Sequence, residues 1–241
     1  YAGQERGFAR VPFDDVKLAV RGAIDWLEVL GHDTFVLVGQ GYGAIVAAHY
    51  LATERDVLMD HGGEQRVKAA VYVNPLTELR RYPRADLQER YDERVAQARA
   101  SVAAGRGGIP QLEPGRNVSA AYDPWLLAGP YIAPAVNWLD YWGPEAAERN
   151  ARLLARPMRP TLLVASTGDP TVSIATLQGI PAELRTLPGA DLKDRADDLA
   201  TTVGGWLAGR GLGVAQRVAT RVLDVDTAGA RTLQGVLYEP E

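Results

Sequence analysis

The apolar residues of this chain recur with two different periods. Between Phe13 and Leu30 they fall at Val16, Leu18, Ala19, Ala23, Ile24, Leu27 and Leu30. That is helical spacing, with Asp14 or Asp15 near the start and Gly31 past the end, so the segment predicts an amphipathic helix. Phe35 to Val38 is a short apolar run flanked by turn residues and predicts a buried strand. Ala44 to Ala52, small and apolar, predicts a helix able to press closely on a sheet. Val67–Val73, Thr161–Ala165 and Leu184–Leu187 predict further strands, the second entered through Pro157 and Pro160, and Asp194–Leu207 predicts a last helix. Strands separated by helices imply an α/β fold with a parallel, doubly wound sheet.

Between Thr77 and Arg156 the pattern changes. Leu87 to Ala104 reads as a charged amphipathic helix with Tyr91, Val95, Ala98 and Val102 on one face, and Gly105 to Gly115 as a Gly/Pro loop. Tyr122, Trp125, Tyr131, Trp138, Tyr141 and Trp142 then crowd together. The segment is expected to be a helical cap insertion over one end of the sheet. Its aromatics build the cap's own core. Trp125, Tyr131, Trp138, Tyr141 and Trp142 are also the candidates to line a pocket for a small apolar or acyl ligand, and the two roles are compatible. Gly105-Arg106-Gly107-Gly108 resembles a phosphate loop only superficially, since no Lys-Ser/Thr ending follows and no strand precedes it.

Composition narrows the partners. The chain's 241 residues, 46% of them hydrophobic, suffice for one α/β domain with a sizeable core. A net charge of −4 without a basic stripe gives nucleic acid no electrostatic foothold. No apolar run reaches the roughly 18 residues of a membrane span, so no membrane partner is expected. The absence of cysteine excludes disulfides, thiolate nucleophiles and cysteine-bound metals. It leaves the compartment open, with a cytoplasmic location favoured. The first residue is Tyr1, not methionine, which suggests a processed chain or a fragment.

The stretch Val36-Leu37-Val38-Gly39-Gln40-Gly41-Tyr42-Gly43-Ala44 carries the candidate chemistry. A strand runs into a tight glycine turn and then into a helix, which is the setting of a nucleophile elbow, Gly-x-Ser-x-Gly. Here the serine position holds Gly41, which has no side chain to attack a substrate. Glycine also relieves the strain that such a turn imposes on other residues.

On these residues the chain resembles the α/β-hydrolase family, from Arg6-Gly7-Phe8 to about Leu207. Arg6-Gly7-Phe8-Ala9-Arg10 resembles the Arg-Gly-x-Gly-x-Ser segment ahead of the pre-nucleophile helix. Leu162 to Asp169, with Thr167-Gly168-Asp169-Pro170, is similar to the strand and turn that carry the acid. Leu187-Pro188-Gly189-Ala190-Asp191 resembles the run that ends in the catalytic histidine, and here Leu192 follows it. The resemblance therefore implies Gly41 at the nucleophile position, Asp169 at the acid position and Leu192 at the base position. Acyl transfer by a triad needs an oxygen nucleophile, a base within reach of it and an acid that orients the base. Two of the three are missing, and Asp169 would persist either as a functional carboxylate or as a turn residue accepting backbone N–H bonds. The backbone N–H of Tyr42 would be the oxyanion donor, aided by the helix N-terminus; its ring is expected to pack against the cap.

Substitutes for the missing groups are few. His32 precedes the elbow strand, His49 is six residues past Tyr42 and His61 sits in a polar loop, so each reads as a surface or packing histidine. The three lack the short spacing of metal ligands, and Asp224-Val225-Asp226 reads as a solvated strand edge, so no metal and no cofactor are expected. Gln216 to Asp226 and Arg231 to Tyr238 alternate around the turn Thr227-Ala228-Gly229-Ala230 and predict a C-terminal β-hairpin. It would begin a second, tandem module, return to the chain's own sheet as in a circular permutation, or add to a neighbouring subunit's sheet in a homo-oligomer. The expected organisation is a hydrolase-like core in two parts, 1–76 and 157–212, a cap over 77–156 and the hairpin within 213–241. The function expected is that of an α/β-hydrolase-fold pseudoenzyme, non-catalytic and used for ligand binding or assembly. The alternatives are an active esterase, thioesterase or peptidase-type hydrolase, or a lyase- or cyclase-type enzyme that uses the same pocket with Asp169 or Tyr42 moving the proton.

Overall fold

The computed structural model describes residues 11–53, 66–77, 85–108, 110–112, 132–169, 172–189, 192–212, 218–227 and 231–240. The chain divides into two compact units, 1–191 and 192–241.

The first unit opens with a 3-10 turn, Phe13–Asp15, which runs into helix α1, Val16–Val29. Strand β1 is Phe35–Gln40 and helix α2 Tyr42–Thr53. Strand β2, Val67–Val73, is followed by helix α3, Ala85–Ala103, and by two short strands, β3 Pro110–Leu112 and β4 Ile132–Pro134. Helices α4, Ala135–Trp142, and α5, Pro144–Leu154, lead to strand β5, Thr161–Ser166. Helix α6, Ile174–Gln178, and strand β6, Glu183–Leu187, end the unit. The four long strands form a parallel sheet in the order β1-β2-β5-β6. All of them end on the same side, as parallel pairing requires, so the turns after β1, β2, β5 and β6 share one end of the sheet. β5 is buried throughout and β2 almost so, which is why both read as unbroken apolar runs in the sequence.

The second unit contains a 3-10 turn, Leu192–Arg195, helix α7, Ala196–Ala208, and the strands β7, Val218–Thr227, and β8, Arg231–Pro240. β7 and β8 pair antiparallel in a two-stranded sheet, as the alternating sequence predicts.

Three features depart from the sequence pattern. Val102, placed on the buried face of α3, is 41% exposed, and Ser101 is buried in its stead beside Tyr91, Val95 and Ala98. The Gly/Pro loop contains β3, which pairs antiparallel with β4. Helix α4 falls within the aromatic cluster and α5 follows it, two helices whose bounds the sequence pattern does not give; Pro144 starts α5, a position where its missing N–H costs nothing.

Among the described residues no helix is long and apolar enough to cross a membrane, and no group of three or more His, Asp or Glu could hold a metal ion.

Candidate functional site

Gly41 occupies the single-residue turn between β1 and α2 at φ 58°, left-handed backbone that glycine adopts without strain. Its N–H donates to the carbonyl of Val73 at 2.8 Å, tying the turn to the last residue of β2. A Cβ built on Gly41 meets nothing within 4 Å, so space is open where a nucleophile's side chain would stand. Two residues back, a Cβ on Gly39 would strike the carbonyl of Gly43; α2 packs so tightly on β1 that only glycine fits there.

Val73 leads directly into Asn74, which the sequence reading did not single out. Asn74 is buried, and at φ 43° it is the non-glycine residue with positive φ among the described residues. Its backbone N–H donates to Val164 of β5 at 2.8 Å, and its side-chain oxygen accepts the N–H of Ser166 at 2.7 Å. Its side-chain nitrogen donates to Oδ2 of Asp169 at 2.9 Å. The Asp169 carboxylate is thus joined to the turn after β1 through the last residue of β2 and the residue that follows it: Gly41 bonds Val73, and Asn74 bonds Asp169. The turn bearing Asp169 is also tied to the end of β6. Thr167 N–H donates to Leu187 at 3.0 Å, Gly168 N–H to Gly189 at 2.9 Å, and the Ser166 hydroxyl to the same Gly189 carbonyl. Asp169 therefore accepts from a side-chain amide and stands half-buried at the sheet's C-terminal end. A weak sequence signal for Asn74 exists: asparagine tolerates left-handed backbone, and here it sits between a strand and Pro75.

Tyr42 begins α2, so its N–H lies in the first turn and points out of the helix's N-terminal end. Its ring is buried, stacked on Tyr141 at 5.4 Å between centroids and tilted against Trp142 at 5.2 Å. Burial pushes the phenol well above the ordinary tyrosine range, against the opposing pull of the Arg149 guanidinium, whose Nη2 lies 3.4 Å from the hydroxyl. Trp138 is buried beside Tyr91, whose hydroxyl donates to the carbonyl of Trp142 at 2.8 Å. Trp138, Tyr141 and Trp142 are thus packed on α2 and α3. Trp125 and Tyr131 lie outside the described residues, as do Arg6-Gly7-Phe8 and His61.

His49 is buried on α2, its ring 4.6 Å from that of Phe13 and its Nε2 3.4 Å from the Asp14 carboxylate. Desolvation lowers its pKa, with Asp14 opposing the shift. It packs as the sequence predicts. Leu192 is buried and belongs to the second unit. Asp224 and Asp226 lie on β7.

A groove of about 780 Å³ runs along β1, between α1 and α2. Its walls are mostly apolar, with Val16 and Val20 of α1, Val38 of β1 and Val46 of α2, and Asp15 and Gln40 also line it.

The model of the alpha/beta hydrolase family matches residues 2–202 of this chain. Among solved structures, a monoacylglycerol lipase from Paleococcus ferrophilus is similar over 83% of this chain and 77% of its own, with 14% identity and a TM-score of 0.54. A thermophilic esterase from Thermogutta terrifontis is similar over 83% of this chain and 73% of its own, with 16% identity and a TM-score of 0.47. No curated protein sequence matches the chain. The elbow-shaped turn between β1 and α2, the parallel sheet around it and a match over most of the sequence agree: the chain belongs to the α/β hydrolase family.

Proposed function

We propose that this α/β-hydrolase-fold protein does not turn over acyl substrates and uses the fold to bind a ligand or to assemble. The observation that carries this reading is Gly41 at the crest of the turn between β1 and α2, where no side chain stands in the nucleophile's place. Among the described residues, the Tyr42 phenol is buried against Tyr141 and Trp142, and His49 is stacked on Phe13 in the body of α2. Leu192 at the base position supports the same reading, since acyl transfer needs both a nucleophile and a base. What remains is the turn's backbone, the N-terminal end of α2 and the Asp169 carboxylate. Those can hold a small apolar or acyl ligand without cleaving it, under a cap formed by residues 77–156.

Asn74 favours a second reading. A carboxylate held in place by a buried side-chain amide is a positioned group of the kind that lyase- or cyclase-type chemistry would use. Turnover of short- and long-acyl esters and thioesters separates these readings from hydrolysis. The expected result is no turnover above background, with long-chain fatty acid quenching the tryptophan fluorescence saturably. Ester turnover that disappears in Asp169→Ala would overturn the proposal.

A further inference from the structure

The turn Phe13–Asp15 is pinned to three helices by one ring and one amide. The Phe13 ring is fully buried, 4.6 Å from the His49 ring of α2 and 6.1 Å edge-on to Tyr42 at the start of that helix. The Arg149 guanidinium of α5 lies over it at 3.5 Å. The Phe13 N–H donates to Oδ2 of Asp140 on α4 at 3.0 Å, and Arg149 donates to the other oxygen of that carboxylate at 2.6 Å. Anything that lifts the turn off α2 therefore also cuts its bond to α4 and takes the ring from under Arg149.

His49 is the group at this junction that can do so. Its side chain is 7% exposed and its Nε2 makes no hydrogen bond, yet imidazole is the side chain that gains a charge on mild acidification. Four charged groups face it: Asp14 of the turn, whose carboxylate lies 3.4 Å from Nε2, Lys17 of α1, Asp140 of α4 and Arg149 of α5. Asp140 and Arg149 are paired with each other, and Asp14 is 83% exposed, so water screens its pull. What is left is the cost of charging a ring shut away from solvent, and burial holds the imidazole below its ordinary range. Nε2 faces the exposed Asp14, so the charged ring reaches water by displacing the turn. We infer that His49 makes Phe13–Asp15 an acid-released strap: protonation of the imidazole drives the turn off α2 and frees α4 and α5 from their contacts at Phe13. Release also takes Phe13 from Tyr42, the first residue of α2, so acid loosens the packing next to the Gly41 turn while the parallel sheet stays intact. The inference does not depend on whether the Gly41 site catalyses, because no group of the strap is asked to react.

Native-state hydrogen exchange of the full chain, read at the Phe13 amide, tests this. After correction for the intrinsic effect of pH, Phe13 protection should be constant above about pH 6.5 and fall by up to about tenfold per pH unit below it, down to about pH 5. Urea up to about 1 M should leave Phe13 exchange unchanged, as a small local opening requires, while the Val71 amide of β2 loses protection with urea as global unfolding does. His49→Gln takes no proton in this range and should hold Phe13 protection constant. Asp14→Asn alters an exposed residue and leaves the buried ring in place. It removes the acid that steadies the charged imidazole under the closed turn, so the fall in protection should deepen. Phe13 protection that stays constant in wild type down to about pH 5 overturns the inference. So does a urea dependence equal to that of Val71, which would mean that the turn leaves only when the whole chain unfolds. A fall that persists in His49→Gln, or that grows shallower in Asp14→Asn, overturns it as well.

Discussion

Asn74 holds a conformation that costs a non-glycine residue roughly 1–2 kcal/mol, and three hydrogen bonds to β5 and the turn after it keep it there. Its partners are 90 to 95 positions away, so nothing in the local sequence reveals the role; only the parallel register of β2 and β5 creates it. His49 is a different case: the sequence leaves it as a surface or packing histidine, and the structure buries it on α2. Its lowered pKa gives a pH dependence with a definite sign. Above the ordinary imidazole pKa, about 6.5, both the folded and unfolded chains keep this histidine neutral. As the pH falls through that value, the unfolded chain takes the proton first, so folding stability drops until the folded pKa is reached. The urea midpoint should therefore fall between about pH 7.5 and 5.5. Replacement by glutamine should flatten that part of the profile, and an unchanged slope would show that another group is responsible.

At the scale of elements, the turn Phe13–Asp15 binds the helices to one another. The Phe13 N–H donates to Asp140 of α4 at 3.0 Å, and its ring meets Tyr42 and His49 of α2. Arg149 of α5 lies 3.5 Å over that ring and bonds the Asp140 carboxylate at 2.6 Å. One aromatic residue thus joins α2, α4 and α5 around the first turn of the elbow helix. Asp140 and Arg149 are partly buried, so their attraction is less screened than on an open surface. A double-mutant cycle on Arg149→Ala and Asp140→Ala should give a coupling of about 1–2 kcal/mol in unfolding free energy. Strict additivity would mean that packing alone, and not the ion pair, holds α5. The helical span of α3 is legible in its sequence, but its inward face is rotated enough to bury Ser101 and expose Val102. Helical periodicity fixes which residues share a stripe to within about one position, and the neighbours decide the rest.

For the molecule as a whole, the order β1-β2-β5-β6 among the described residues places β2 and β5 between other strands. Amides of Val71 and Leu163 should exchange with solvent last. The Val38 amide should exchange at least about a hundredfold faster than they do, and equal protection would mean that β1 has a second neighbour as well as β2. The sequence by itself determined the strand–turn–helix grammar, the parallel α/β class, the family and the glycine at the turn after β1, because periodicity, turn chemistry and residue identity are local properties. Tertiary structure alone decided that Asn74 bonds Asp169, that Tyr42 packs against Tyr141 and Trp142, and that β2 and β5 stand next to each other in the sheet. Those facts depend on strand order and helix docking between residues far apart in the chain, where the energy lies in shared burial and hydrogen bonding that no local window contains.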